Sequence, residues 1–149
     1  MKTYTVRPLN TNSQALSDAV NLISTNCPSE SDRYEKSRIF SEISALDIYP
    51  FYRKFFGAYD FDGSLIGVGG VKAADWASDT HILYLMAVDK DHRGKGVGSD
   101  LENVRIKWVR DNFPYGRCLV STRHKKRFER WDFKTVSEVN KRFLMVLEF

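Results

Sequence analysis

The sequence predicts a mixed α/β fold in a single domain over residues 1–149, and three observations carry that prediction. Stretches of helical period alternate along the chain with short apolar runs of strand length. The pairs Asp62-Gly63 and Asn140-Lys141 separate such runs as tight turns do. A strongly apolar run, residues 81–88, feeds a glycine-rich turn and then an amphipathic stretch. A length of 149 residues suits one ordinary domain. No repeat, low-complexity tract or internal linker divides it.

In chain order the elements read β α α β β β α β α β β. Residues 4–9 form a short edge strand, stopped by Pro8 and the polar run after it. Thr11-Asn12-Ser13-Gln14 fits a capping box, with Thr11 as cap and Gln14 reaching back. Leu16, Ala19, Val20 and Ile23 follow at helical spacing, so residues 12–25 form a helix with one buried face. A second helix over 32–47 buries Ile39, Ile43 and Leu46. The aromatic run 48–56, broken by Pro50, reads as a loop entering a strand. Asp62-Gly63 joins strands over 55–61 and 65–73. The apolar run 81–88 is the strand expected at the centre of the sheet. A helix over 98–112 carries Val97, Leu101, Val104 and Trp108 as its apolar stripe. Strand 117–122, a short basic helix 124–131, and strands 135–139 and 142–149 complete the chain.

Composition excludes several classes. With 42% hydrophobic and 13% aromatic residues, the chain is globular rather than disordered. No apolar stretch approaches the roughly 20 residues of a membrane span, and residues 1–8 lack the apolar core of a secretory signal. Cys27 and Cys118 are too few and too far apart for a disulfide framework or a zinc site. The expectation is a cytoplasmic protein with no metal and no membrane. The net charge of +4 hides an asymmetry: residues 1–104 carry 11 Lys+Arg against 14 Asp+Glu, and residues 105–142 carry 12 against 4. A basic C-terminal third suggests an anionic partner, either a nucleic acid or a phosphorylated cofactor.

Residues 83–99 carry the chemistry: an apolar strand ends, a glycine-rich turn follows, and a helix begins. Gly94, Gly96 and Gly98 let backbone N–H groups point outward unobstructed. The helix N-terminus adds about half a positive charge, and Arg93 and Lys95 add whole ones. Such an anion cradle suits a pyrophosphate. The spacing fits neither a dinucleotide fingerprint, since Leu101 stands where the last glycine would, nor a P-loop, since Asp89 stands where its first glycine would.

Arg93-Gly94-Lys95-Gly96-Val97-Gly98 resembles the Arg/Gln-x-x-Gly-x-Gly/Ala acyl-CoA loop of the GCN5-related N-acetyltransferases (GNAT). Met86-Ala87-Val88-Asp89 is similar to the strand leading into that loop. Phe128-Glu129-Arg130-Trp131-Asp132-Phe133 sits where the family usually has Tyr-Glu-Lys-Leu-Gly-Phe, and residues 143–149 look like its terminal strand. The resemblance implies a largely antiparallel sheet flanked by helices. It also implies acetyl-CoA-dependent transfer of an acetyl group to a primary amine by direct attack. Gly94, Lys95, Gly96, Val97, Gly98 and Ser99 would give their amides to the pyrophosphate, with Arg93 leading into the cradle. The backbone of Met86, Ala87 and Val88 would bond the pantetheine arm, one of these amides polarising the thioester carbonyl.

The sequence departs from the family at both proton-transfer positions. An alkyl ammonium has a pKa near ~10.4 and must lose a proton before attack. Many members place a Glu on the central strand where Tyr84 stands here. Tyr84 and His81 are the nearest titratable groups and the candidate catalytic residues, on opposite faces of a regular strand. Phe128 holds the position of the family's proton-donating Tyr, and Ser121 that of an Asn seven residues earlier. Asp132 stands where the family prefers Gly, and Asp tolerates a left-handed turn. Cys118 reads as core. Tyr49, Phe51, Tyr52 and Phe55 are placed to form an acceptor pocket, with Trp76 either lining it or capping the sheet edge. Glu35, Glu42 and Asp47 could attract a cationic amine. The expected partner is an amine-bearing small molecule or protein, and the expected state a monomer or homodimer. Two other readings stay open: a CoA-binding regulatory protein without turnover, and nucleic-acid contact through Arg123, Lys125, Lys126, Arg127 and Arg130, for instance on a charged tRNA.

Overall fold

The computed structural model describes residues 1–9, 12–27, 35–45 and 51–149. Its elements follow the expected order: β1 (Tyr4–Pro8), α1 (Ser13–Asn26), α2 (Lys36–Ser44), β2 (Arg53–Asp60), β3 (Leu65–Ala73), β4 (Thr80–Val88), α3 (Val97–Asn112), β5 (Arg117–Thr122), α4 (Lys125–Glu129), β6 (Lys134–Val139) and β7 (Arg142–Glu148). The strands form one seven-stranded sheet in the order β1-β2-β3-β4-β5-β7-β6. Every neighbouring pair is antiparallel except β4 with β5. The apolar run β4 is thus the central strand. Pro8 sits on the edge strand β1, where its missing donor breaks no inner ladder. Both turn signals hold: Gly63 takes a φ of +87°, and Asn140 and Lys141 take +50° and +58°, as a two-residue hairpin requires.

Helices cover both faces. On one, Ala19, Val20 and Ile23 of α1 and Ile39 and Ile43 of α2 pack with Phe55, Tyr59, Val68 and Ala87. On the other, Val97, Leu101, Ile106 and Val109 of α3 pack with Phe56, Val71, Leu83, Cys118, Val120 and Met145. No described helix is long and apolar enough to cross a membrane.

Three local expectations need correction. Asn12, not Thr11, caps α1: its side-chain oxygen accepts from the Ala15 amide at 2.8 Å. Gln14 turns forward to Asp18 instead of reaching back, and Thr11 lies outside the described residues. Helix α2 covers only Lys36–Ser44 of the expected 32–47, with Leu46 and Asp47 outside the described residues. The buried face of α3 is Val97, Leu101, Glu102, Arg105, Ile106 and Val109, leaving Val104 and Trp108 half-buried. The cause lies in β3. A Cβ on Gly67 would meet Val97 and Leu101 at 2.9 and 3.0 Å, and one on Gly69 would meet Arg105 Nε at 3.1 Å. Two glycines let α3 lie close, and one accommodates an arginine against the sheet.

Candidate active site

β4 and β5 pair only through Thr80↔Arg117, His81↔Cys118 and Ile82↔Leu119. Beyond Ile82 they part, so one edge of β4 is open. A bulge marks the same stretch: Val68 pairs with Ala87 and Gly70 with Tyr84, so Leu85 and Met86 together face Gly69. Leu85 takes a φ of +47°, a left-handed conformation costing a residue with a Cβ about 1–2 kcal/mol.

The open edge faces a groove of about 900 Å³. Met86, Ala87 and Val88 form one wall, the loop from Arg93 to Ser99 its end, and His124, Lys126, Arg127 and Arg130 the other wall. Gly94 and Gly96 have φ of +74° and +88°, and Gly96 caps α3. The first intrahelical bond runs from the Asp100 amide to the Gly96 carbonyl at 3.0 Å. The amides of Val97, Gly98 and Ser99 therefore have no carbonyl one turn earlier to bond. A Cβ on Gly98 would collide with the Arg127 guanidinium. Arg93 ties the loop down, donating to the Val88 carbonyl and to Asn26 Oδ1, both at 3.2 Å. Lys95 instead turns back to the Asp91 carbonyl at 3.1 Å, so its charge is not directed into the groove.

β1 braces this loop from behind. The Tyr4 hydroxyl donates to Asp100 Oδ2 at 2.6 Å and lies 3.5 Å from the Lys95 carbonyl, while Lys2 Nζ is 2.6 Å from the same carboxylate. Burial, with Asp100 beside it, pushes the Tyr4 phenol up to about 12. It stays a donor across the physiological range.

Two charged residues on α3 escaped the sequence reading. Glu102 is 0% exposed and forms ion pairs with Arg127 Nε and, at 2.9 Å, Arg130 Nη2. Trp131 Nε1 donates to it at 3.3 Å, and Arg130 Nη2 also donates to Ser99 Oγ at 2.7 Å. Arg105 lies under the bulge, donating to the carbonyls of Leu101 (2.9 Å) and Gly70 (3.0 Å) and to Met86 Sδ (3.0 Å). Burial lowers its pKa to about 10, which leaves it charged at neutral pH. A signal for Arg105 did exist. It stands four residues after Leu101 in an apolar stripe, where a charge needs a buried partner, and Gly69 is the room for it.

Tyr84 is on the opposite face of β4. Its hydroxyl donates to Glu42 Oε2 at 2.9 Å. Arg53 Nε (3.0 Å) and Lys72 Nζ (3.4 Å) reach the same carboxylate, and Lys72 Nζ also stands 4.6 Å from the Tyr84 ring centre. Burial acts to raise the Glu42 pKa, but Tyr84, Arg53 and Lys72 outweigh it and hold it below the usual range. Glu42 is thus an anchored carboxylate already carrying two cations, not an open attractor for an amine. Glu35 is exposed at the start of α2, and Asp47 lies outside the described residues.

His81 is not brought to Tyr84. It is 3% exposed, its Nδ1 is 2.7 Å from the Tyr52 hydroxyl, and its ring lies 4.4 Å from Phe113. Burial lowers its pKa, against an opposing pull from Asp79. The Tyr52 hydroxyl and His81 Nδ1 share one hydrogen bond, whose donor is set by the imidazole tautomer. The aromatic segment is divided: Phe51 and Tyr52 line one pocket with Trp76, His81 and Phe113, whereas Phe55 packs with Tyr84 on the other side. Tyr49 lies outside the described residues, and Trp76 is 70% exposed. Phe128 is buried edge-on against Phe133. Asp132 takes the left-handed turn with φ of +67°. Cys118 is core, its thiol pushed up to about 12 by burial, which leaves no nucleophilic thiolate.

A central strand that parts from its parallel neighbour, with a glycine loop and helix N-terminus at the opening, defines a protein built to hold an extended, phosphate-bearing ligand. The family model described as "Acetyltransferase (GNAT) family" matches residues 18–128. The chain belongs to the GNAT acetyltransferase family, whose members are acyltransferases. Solved structures agree in fold. The PaiA N-acetyltransferase from Thermoplasma acidophilum, in complex with coenzyme A, shares 18% identity over 99% of this chain and 100% of its own, with a TM-score of 0.71. An acyl-CoA N-acyltransferase from Pseudomonas aeruginosa shares 14% over 96% and 97%, with a TM-score of 0.75. The ribosomal-protein-S18-alanine N-acetyltransferase from Escherichia coli shares 14% over 97% and 93%, with a TM-score of 0.72. Among curated proteins, none matches the chain.

Proposed function

We propose that residues 1–149 form one acetyltransferase domain that acts in the cytoplasm and moves an acetyl group from acetyl-CoA to a primary amine by direct attack. The observation that carries this reading is the groove beside the open edge of β4, with Gly96 and Gly98 at its end and cations on both sides. The residues present fit the coenzyme. Three amides and a helix N-terminus face the groove with Arg93, Lys126, Arg127 and Arg130, and Gly98 leaves room for the Arg127 guanidinium to lie against the loop. Bound there, acetyl-CoA supplies an activated thioester.

This chain's residues do the rest. Val97, Gly98 and Ser99 would donate amides to phosphate oxygens, and Met86, Ala87 and Val88 would offer an amide-bearing arm a strand edge that β5 does not pair. We assign the backbone at the bulge, over buried Arg105, to polarising an acyl carbonyl. Holding amine and thioester together supplies much of the rate. We assign Tyr84, oriented by Glu42, to the acceptor side, where its hydroxyl passes the amine's proton to solvent. We assign His81 to supporting the same strand through Tyr52.

Incubation with acetyl-CoA and a mixed panel of amines and peptides, following CoA thiol release and product masses, tests the activity. Saturating acetyl-CoA should raise Tm, because a ligand that binds only the folded state stabilises it. No shift at millimolar acetyl-CoA would remove the coenzyme, and no thiol release with any amine would remove the transfer.

A further inference from the structure

We infer that Glu102, which does not line the groove itself, is the positioning residue of the phosphate site, holding Arg127 and Arg130 over the loop before any ligand arrives. The inference rests on reading the groove as the coenzyme site. Glu102 is wholly buried in the first turns of α3, and both arginines converge on its carboxylate from α4 and the turn after it. Arg127 lies against Gly98, the glycine whose amide faces the groove, and Arg130 also holds Ser99 Oγ at 2.7 Å. Trp131 Nε1 shares the same carboxylate oxygen as Arg130.

A free arginine loses rotamer freedom when it binds phosphate, and that cost weakens binding. Two arginines already fixed by a buried carboxylate have lost it in the free protein. Fixing them also brings cations from the basic C-terminal third to a loop whose own Lys95 turns away.

The sign of the effect separates this inference from simple electrostatics. Glu102 is negative and close to where phosphates would lie, so removing its charge should tighten coenzyme binding if only Coulomb attraction mattered. Positioning requires the reverse. Glu102→Gln should bind acetyl-CoA about tenfold more weakly by calorimetry, the figure expected when two long side chains must be ordered anew. KM for acetyl-CoA should rise with kcat held. In an Arg127→Met, Arg130→Met background, adding Glu102→Gln should change the dissociation constant no further.

Unchanged or tighter binding by Glu102→Gln would overturn the inference, as would an equal loss in the background lacking both arginines. If Glu102→Gln does not fold, the arginine variants decide. A shared carboxylate predicts that the double variant loses less than the product of the two single losses, and an equal product overturns it. A wild-type protein with no affinity for acetyl-CoA would bring down the proposed function and this inference together. Tight wild-type binding with an indifferent Glu102→Gln would bring down this inference alone.

Discussion

β4 separates two walls made in different ways. The wall proposed for the coenzyme runs through one stretch of chain, from Met86 at the open strand edge to Ser99 in the first turn of α3, and the donors assigned to it are largely backbone amides. The wall assigned to the acceptor gathers Glu42 from α2, Arg53 from β2, Lys72 from β3 and Tyr84 from β4, and only side chains join them. A backbone site depends on φ angles and on open space, so glycines decide it. A side-chain site depends on elements far apart in sequence meeting, so the fold decides it. The first is broken by adding atoms, the second by removing them.

The largest effect should come from adding a side chain to the coenzyme wall. Gly96→Val forces a branched residue into a φ of +88° and places its Cβ 3.3 Å from the Tyr4 hydroxyl. The left-handed strain alone costs about 1–2 kcal/mol, so acetyl-CoA should bind at least about tenfold more weakly, read as loss of its Tm shift. An intact shift would mean that the loop does not hold the coenzyme. Arg105→Met comes next. It leaves the Gly70 and Leu101 carbonyls without their buried donor, and stability should fall by about 2 kcal/mol in denaturant titration. KM for acetyl-CoA should rise with it, because the bulge under the open edge loses its support.

Tyr84→Phe sharpens the contrast. Turnover should fall about tenfold, less than the ~10²-fold or more usual for a lost general acid or base because solvent can still take the proton, while the acetyl-CoA dissociation constant stays unchanged. A matching loss of coenzyme affinity would show that the two walls are not independent. The smallest effect concerns His81. Its pKa is lowered in the folded protein, so between that value and the unfolded value near ~6.5 the unfolded chain binds more protons. The stability contributed by a neutral His81 is full above the unfolded pKa and declines as pH falls below it. In His81→Phe this part of the decline in Tm should vanish. The decline tied to Glu42, whose pKa is also lowered, sets in only at more acid pH and should remain.

How much was legible in the sequence follows the same division. The loop could be read because Gly94 and Gly96 state backbone requirements locally, and the β4 run could be read because a strand covered on both faces is apolar along its length. The left-handed turn at Asp132 and the hairpin at Asn140-Lys141 were legible for the same reason. Lys95 was misleading: adjacency in sequence said nothing about its turn toward Asp91. Glu42 was visible as a charge but not as the meeting point of three other elements. Glu102 and Arg105 break the apolar pattern of α3, and the pattern alone does not say which buried partner resolves the break. His81 and Tyr84 were separable by strand parity, whereas the partner of each came only from tertiary packing.

The brace behind the loop has a consequence of its own. Tyr4 joins the edge strand β1 to Asp100 and to the carbonyl of Lys95, 91 residues later. Energetic coupling within one molecule runs equally in both directions. A ligand that stiffens the turn before α3 must slow the fraying of β1, and slack in β1 must loosen the ligand by the same free energy. The outermost strand is therefore a remote gauge of the loop. Amide exchange measured at its backbone would report, from the margin of the sheet, whether the cleft at its centre is filled.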